Sequence, residues 1–315
     1  MGLHQTRMII LIIVGLILAF IPTFVKSIYI MHIINMSMIY IIIISGMNFI
    51  MGYCGQFMLA QAAFYGIGAY TSAILATRLG LSFWICLPVA VVVTGIAGLL
   101  TCLPCLRVRG HYLAIVSLGI AIIIHEAMVS LIDLTKGPAG IIGIPAPFIF
   151  EWVLNKDHQY YYLLVLFTVL SILFAKFVIM SRTGRAFIAI RESYTAAEAM
   201  GINHRFYKII GFVLSASYAG LAGSLYAHLV KFVSPDSFGL EELLLEIAML
   251  VIGGIGTLAG PVLGAIAFNF GYEYLRAFKG LQMVIYGLMI LLFVIFIPQG
   301  LVTIKDRVLR FKRGS

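Results

Sequence analysis

The chain has 315 residues, 62% of them hydrophobic and 10% charged, with a formal net charge of +9. Soluble domains average roughly 45–50% apolar and 25% charged residues, so a soluble globular protein is excluded. The basic surplus does not describe a nucleic-acid groove either, because Lys and Arg cluster between and after apolar runs, as in membrane proteins oriented by their basic loops.

Inside a bilayer every backbone N–H and C=O needs an internal partner, which leaves helices or a closed barrel. The apolar runs here are continuous, about 20 residues long, and do not alternate with period two. They predict an all-α polytopic membrane protein, one transmembrane domain over residues 1–315. Ten spans are expected. The first, at about 8–25, follows a short basic start and has no small-residue cleavage site after it, so a retained span is expected in place of a signal peptide. The second and third lie at about 27–50 and 56–77, separated by Gly52-Tyr53-Cys54-Gly55. The fourth and fifth lie at about 83–105 and 112–132. Cys54, Cys86, Cys102 and Cys105 all sit in or beside apolar runs. Cys102 and Cys105 form a lone CxxC without a second pair, which points to inert thiols over metal or redox chemistry.

A loop over 133–158, rich in Gly and Pro, precedes the sixth span at about 159–179. The long polar stretch SRTGRAFIAIRESYTAAEAMGIN (181–203) follows, within a loop over 181–207. Arg182, Arg185 and Arg191 lie on a predicted first helix interrupted near Ser193-Tyr194. Thr195 and Glu198 have capping-box spacing, and Gly201 suits a left-handed position after a helix end. A short second helix over Thr195–Met200 is therefore predicted, with Ala196, Ala199 and Met200 on one small apolar face. Such a pair suits a groove on another protein; an amphipathic piece lying on anionic headgroups is the alternative. The seventh to tenth spans are expected at about 208–230, 240–256, 261–278 and 282–297.

Charge orients the chain. With the N-terminus inside, 13 basic residues fall on inner segments, among them Arg107, Arg109, Arg185, Arg191 and Lys208, against 7 on outer ones. That excess places both termini and the 181–207 loop in the cytoplasm.

Small residues supply packing faces, since helices in lipid gain by close approach. Gly256, Gly260 and Gly264 give overlapping GxxxG spacings around Pro261, which predicts a broken or tightly turned helix pair. Ala216, Gly220 and Ser224 form a second small-xxx-small stripe. No Gly-Lys dipeptide exists, so there is no Walker A loop, and His125-Glu126 begins an HExxH motif that fails at Val129. The chain is expected to be no enzyme and to bind no cofactor or metal. Polar groups within spans are the default pointer to a transport path. Candidates are Gln56, Gln61, Tyr65, His125, Glu126 and Glu246, with Asn48, Asn269, Tyr70 and Glu242 nearby in kind; interhelical hydrogen bonding or interfacial placement is the alternative for each.

Six blocks in order then resemble one family, the LivM-type permeases of ATP-binding-cassette importers for branched-chain amino acids. They are GQFMLAQAAFYGIGAYTSAIL (55–75), RVRGHYLAIVSLG (107–119), TKGPAGIIGIP (135–145), the 181–203 stretch, SASYAGLAGSLYA (215–227) and GLEELLLEIAMLVIGGIGTLAGPVLGA (239–265). The resemblance implies the importer permease fold in a bacterial or archaeal cytoplasmic membrane. It also implies a LivH-like permease partner, two ATPase subunits that hold the ATP, and an extracytoplasmic substrate-binding protein. The ATPase contact carries over to Ala196, Ala197, Glu198, Ala199, Met200 and Gly201, beside the basic Arg185 and Arg191. Met58, Ala60, Gln61, Ile122 and His125 depart from the family pattern. Urea, short amides or other amino acids are therefore alternative substrates. An ion-coupled secondary transporter, and a channel or structural subunit, are alternatives of other classes.

Overall fold

The computed structural model describes residues 27–108, 110–149, 152–154, 156–275 and 300–303, with isolated positions at 22, 25, 287 and 291. Helix α1 spans Ile28–Asn48 and continues through a π-helical turn, Phe49–Tyr53. Then come α2 (Gln61–Arg78), α3 (Phe83–Cys105), α4 (His111–Ser130) and the single turn α5 (Ile132–Thr135). After the 133–158 region lie α6 (Asp157–Met180), α7 (Arg182–Glu192), α8 (Tyr194–Ala199) and α9 (His204–Val230). Finally α10 (Leu240–Gly253) and α11 (Gly260–Leu275) form a hairpin.

Among the described residues five helices are long and apolar enough to cross a membrane: α1 with its π turn, α3, α4, α6 and α9. The expected spans at 8–25 and 282–297 lie outside the described residues. Helix α2 starts five residues later than expected, because residues 54–60 are irregular and the chain re-enters helix only at Gln61. The Gln56 N–H donates to the Ile50 carbonyl at 2.9 Å, folding this segment back on the end of α1.

Helix α9 organises the bundle, packing against α1, α2 and α3. The small-residue stripe makes this possible. A Cβ added at Gly68 of α2 would lie 2.5 Å from the Gly220 Cα, and one at Gly223 would lie 2.3 Å from the Tyr65 carbonyl oxygen. Ala216 faces Gly98 of α3, and Ser224 meets Ser72 of α2 through a 2.8 Å hydrogen bond. Close backbone approach multiplies weak dispersion contacts, which drive helix association when lipid is as apolar as the side chains. Lys208 is buried at the start of α9, and its Nζ donates to the Cys105 and Val108 carbonyls (2.6 and 3.0 Å) at the end of α3. A cation there satisfies orphan carbonyls and the negative end of the helix dipole.

Helix α1 also packs on α6 and α11, while α4 lies at the periphery with only Leu113, Ser117 and Met128 buried. The 133–158 region is not structureless. Two-residue strands β1 (Ile141–Ile142) and β4 (Phe232–Val233) pair antiparallel, Ile141 opposite Val233, and β2 (Phe148–Ile149) pairs with β3 (Trp152–Val153). His228 pins this cap to the bundle: Nδ1–H donates to the Pro145 carbonyl at 2.7 Å. Its Nε2 lies 3.0 Å from the Ser72 hydroxyl, a hydrogen bond to α2.

The hairpin between α10 and α11 is the tightly turned pair predicted from its glycines, with one correction. Gly256 sits in the turn at φ +76°, so it belongs to no helical GxxxG face. Gly260 and Gly264 do, against Gly253 and the Met249 carbonyl, and Pro261 starts α11 beside them, buried. Asn48 clamps the turn: its Oδ1 accepts from the Gly256 N–H and its Nδ2 donates to the Thr257 carbonyl, both at 2.8 Å. Asn48 and Asn269 therefore act as braces, the latter donating to the Ile33 carbonyl and to Ser37.

Candidate functional site

Four helices bring an acidic, phenol-rich cluster together inside the bundle. Helix α10 begins after an extended Gly239, and Glu241 and Glu242 stand in its first turn, where negative charge complements the helix dipole. Glu242 and Glu246 share a face at i, i+4. Glu246 is fully buried. Neither of its carboxyl oxygens has a hydrogen-bond partner among the described residues, and the same is true of Glu242 Oε1. The other Glu242 oxygen accepts from the Tyr40 hydroxyl of α1 at 3.4 Å. Tyr65 of α2 is buried, with its hydroxyl unpartnered. Its ring packs edge-on against Tyr226 of α9 (5.4 Å between centroids) and Phe238 (5.0 Å). Buried polar groups are nearly always hydrogen-bonded, so several unpartnered oxygens in one place mark a site more than a scaffold.

Beside the cluster lies a cavity of about 220 Å³, lined by Ala62, Leu118, His125, Glu126, Phe238 and Leu243 among others. Phe238 belongs to both: it lines the cavity, and its ring packs against Tyr65. His125 is partly buried, its ring against Gly239, and Glu126 is exposed. Of the residues expected to line a path, Tyr65 and Glu246 are therefore both buried in the interior, and His125 and Glu126 line the cavity with Phe238.

Gln61 stands one helical turn before Tyr65 on α2. It is fully buried and saturated: Nε2 donates to the Ile43 and Ser215 carbonyls (3.1 and 3.3 Å), and Oε1 accepts from the Ser215 hydroxyl (2.7 Å). It braces α1, α2 and α9. Gln56 is half-buried in the irregular segment before α2. Sequence reasoning passed over Tyr40, Tyr226 and Phe238 as path residues. The signal available was a hydroxyl or ring in an otherwise aliphatic run, too common in membrane helices to single out.

The polar stretch forms a separate element at one end of the bundle. Ser181 turns the chain from α6 into α7, accepting from the Thr183 N–H at 3.1 Å and donating to the Val178 carbonyl at 2.6 Å. Helix α7 buries Ala186, Phe187 and Ile190 and exposes Arg182 and Arg185. Arg191 reaches back, Nη1 donating to the Gly52 carbonyl at 2.8 Å and lying beside Gly256. It thus ties α7 to the end of α1 and to the α10–α11 turn. The cap of α8 differs from expectation. Ser193 and not Thr195 is the N-cap, accepting from the Ala196 N–H at 3.3 Å, so the helix starts at Tyr194. The C-terminal end is as expected: Gly201 has φ +79°, its N–H donates to the Glu198 carbonyl, and the Ile202 N–H donates to the Ala197 carbonyl. These are the paired bonds of a Schellman motif. Ala196, Glu198, Ala199 and Met200 are exposed, Met200 at 82%, whereas Ala197 is buried. Ala197 is therefore an anchor and cannot meet a partner, a correction that follows from its position on the inward face of so short a helix.

The family described as "Branched-chain amino acid transport system / permease component" matches residues 29–295. The chain is 34% identical over 304 residues to the high-affinity branched-chain amino acid transport system permease protein LivM of Escherichia coli strain K12, covering 89% of this chain and 72% of that protein. The LivM protein of Salmonella typhimurium gives the same figures. A probable LivH permease of Methanocaldococcus jannaschii is 24% identical over 252 residues, 75% of this chain and 78% of that one. No solved structure matches. With that coverage, six ordered blocks and five helices long and apolar enough to cross a membrane, the chain belongs to the branched-chain amino acid transport permease family, a family of transport components and not of enzymes.

Proposed function

We propose that the chain is the membrane-spanning permease subunit of an ATP-binding-cassette importer for branched-chain amino acids. It has ten spans, with both termini on the cytoplasmic side of a bacterial or archaeal inner membrane. The observation that carries this reading is the family match across residues 29–295. The LivH-named relative supports a second, homologous permease as partner. Two ATPase subunits supply the energy, and an extracytoplasmic binding protein delivers the solute.

In this reading α7 and α8 receive the ATPase stroke. The exposed Ala196, Glu198, Ala199 and Met200 meet the ATPase, and Arg191 transmits displacement to the Gly52 and Gly256 turns, hence to α1 and α10. Movement of α10 relative to α2 would open the Glu246 cluster to one side of the membrane at a time. This is alternating access, and no covalent chemistry falls to this chain. Solute selectivity between leucine-like amino acids and urea or short amides is tested by uptake into vesicles holding the assembled complex with internal ATP. Saturable, ATP-dependent leucine uptake is the expected result. Transport on an ion gradient with no ATPase subunit co-purifying would overturn the reading in favour of a secondary transporter.

A further inference from the structure

We infer that Glu242 and Glu246, with the Tyr40 and Tyr65 hydroxyls, form a binding site for a primary ammonium group in the middle of the permease. The identity of its bearer, an amino acid, rests on the function proposed above; the chemistry of the site does not.

Buried acceptors without donors point to a cation. Three buried carboxyl oxygens, Glu242 Oε1 and both of Glu246, have no hydrogen-bond partner among the described residues. The ion pairs of His32 with Asp157 and of His204 with Glu198 involve neither glutamate. Removing a carboxylate from water without a positive partner costs several kcal/mol, so two on one helix face need a cation or protons. An alkylammonium presents three N–H donors in a small volume, matching three orphaned acceptors; a guanidinium is planar and presents a wider fork. The Tyr65 hydroxyl, also buried and unpartnered, offers a fourth contact.

The surroundings suit the rest of such a molecule. Tyr65, Tyr226 and Phe238 meet edge to face at 5.0–5.8 Å, and aromatic faces stabilise cations as well as aliphatic groups. The adjoining cavity of about 220 Å³ is lined by Ala62, Leu118, Phe238 and Leu243 on its apolar side. At about 30 Å³ per water it has room for about seven waters, the scale of one small branched side chain. A carboxylate-bearing solute without the ammonium group would meet two like charges and be repelled, so the site also selects.

The test uses the wild-type chain in its assembled complex. Dicyclohexylcarbodiimide attaches to carboxyl groups buried in membranes, and peptide mass spectrometry reports the adduct on the segment carrying Glu246. Modification is timed alone, with leucine, with the des-amino analogue 4-methylpentanoate, and with sodium or potassium chloride. At ten times its Kd leucine leaves about a tenth of the sites open, so modification should slow about tenfold, while 4-methylpentanoate leaves the rate unchanged. Equal protection by the des-amino analogue, protection by the inorganic cations, or no protection by leucine would each overturn the ammonium site. Leucine uptake by the same preparation is scored separately. Uptake without protection would sink this inference and leave the importer reading standing; protection without uptake would do the reverse.

Discussion

The crossing of α9 over α2 gives a prediction whose size can be worked from geometry. A Cβ at Gly223 would sit 2.3 Å from the Tyr65 carbonyl oxygen, where ordinary van der Waals contact begins at 3.4 Å. The obstacle is backbone, so no side chain can swing away and the helices must part by about 1 Å; overpacking of this kind costs about 1–3 kcal/mol. Gly119 of α4 is the control, since a Cβ there meets nothing within 4 Å. Both Gly→Ala changes gain the same helix propensity, up to about 1 kcal/mol. The difference between them therefore isolates the clash. Thermal unfolding of the purified complex in detergent should place Gly223→Ala about 1–3 kcal/mol below Gly119→Ala. Equal stability of the two variants would refute the claim that close backbone approach holds α9 in place.

Other substitutions separate scaffold from machinery. Gln61→Leu removes three interhelical hydrogen bonds. At about 0.6 kcal/mol each, it should lower stability by about 2 kcal/mol while leaving the KM for uptake unchanged; a raised KM at unchanged stability would return Gln61 to the path. Arg191→Ala deletes a charge-assisted bond to the Gly52 carbonyl, worth about 1.5–3 kcal/mol. The ratio of solute moved to ATP hydrolysed should fall, and an unaltered ratio would deny Arg191 its transmitting role. Gly201→Trp forces a bulky residue into a left-handed conformation, at about 1–2 kcal/mol, and Glu198→Arg reverses an exposed charge on α8. Both should leave the subunit in the membrane with hydrolysis uncoupled from uptake; normal uptake in both would remove α8 from the ATPase contact.

Much of this architecture is legible in the residues. Uninterrupted apolar runs impose helices because lipid offers the backbone no partner, and α3, α6 and α9 fall within a few residues of expectation. The Ala216–Gly220–Ser224 stripe and the Gly260–Pro261–Gly264 hairpin are equally readable, since small residues at helical spacing have a packing meaning of their own. Tertiary partners are harder. Gln61 and Asn48 look like path residues by composition, yet their amides are consumed by Ser215 and by the Gly256–Thr257 turn, which lie far along the chain. The cap of α8 shows a local limit: Ser193 and Thr195 both offer a hydroxyl near the helix start, and the extended backbone at Ser193 decides between them. Only the fold shows that the Tyr40 hydroxyl of α1 donates to Glu242 of α10.

In the proposed cycle solute passes the buried Glu246 under power from a separate ATPase. Leucine uptake by vesicles carrying the assembled complex, with ATP inside, tests it most directly when wild type and Glu246→Gln are compared at equal amounts of assembled complex and equal basal ATP hydrolysis. Uptake should depend on ATP in wild type and be lost in Glu246→Gln. Undiminished uptake in Glu246→Gln, or uptake that persists without ATP, would contradict it.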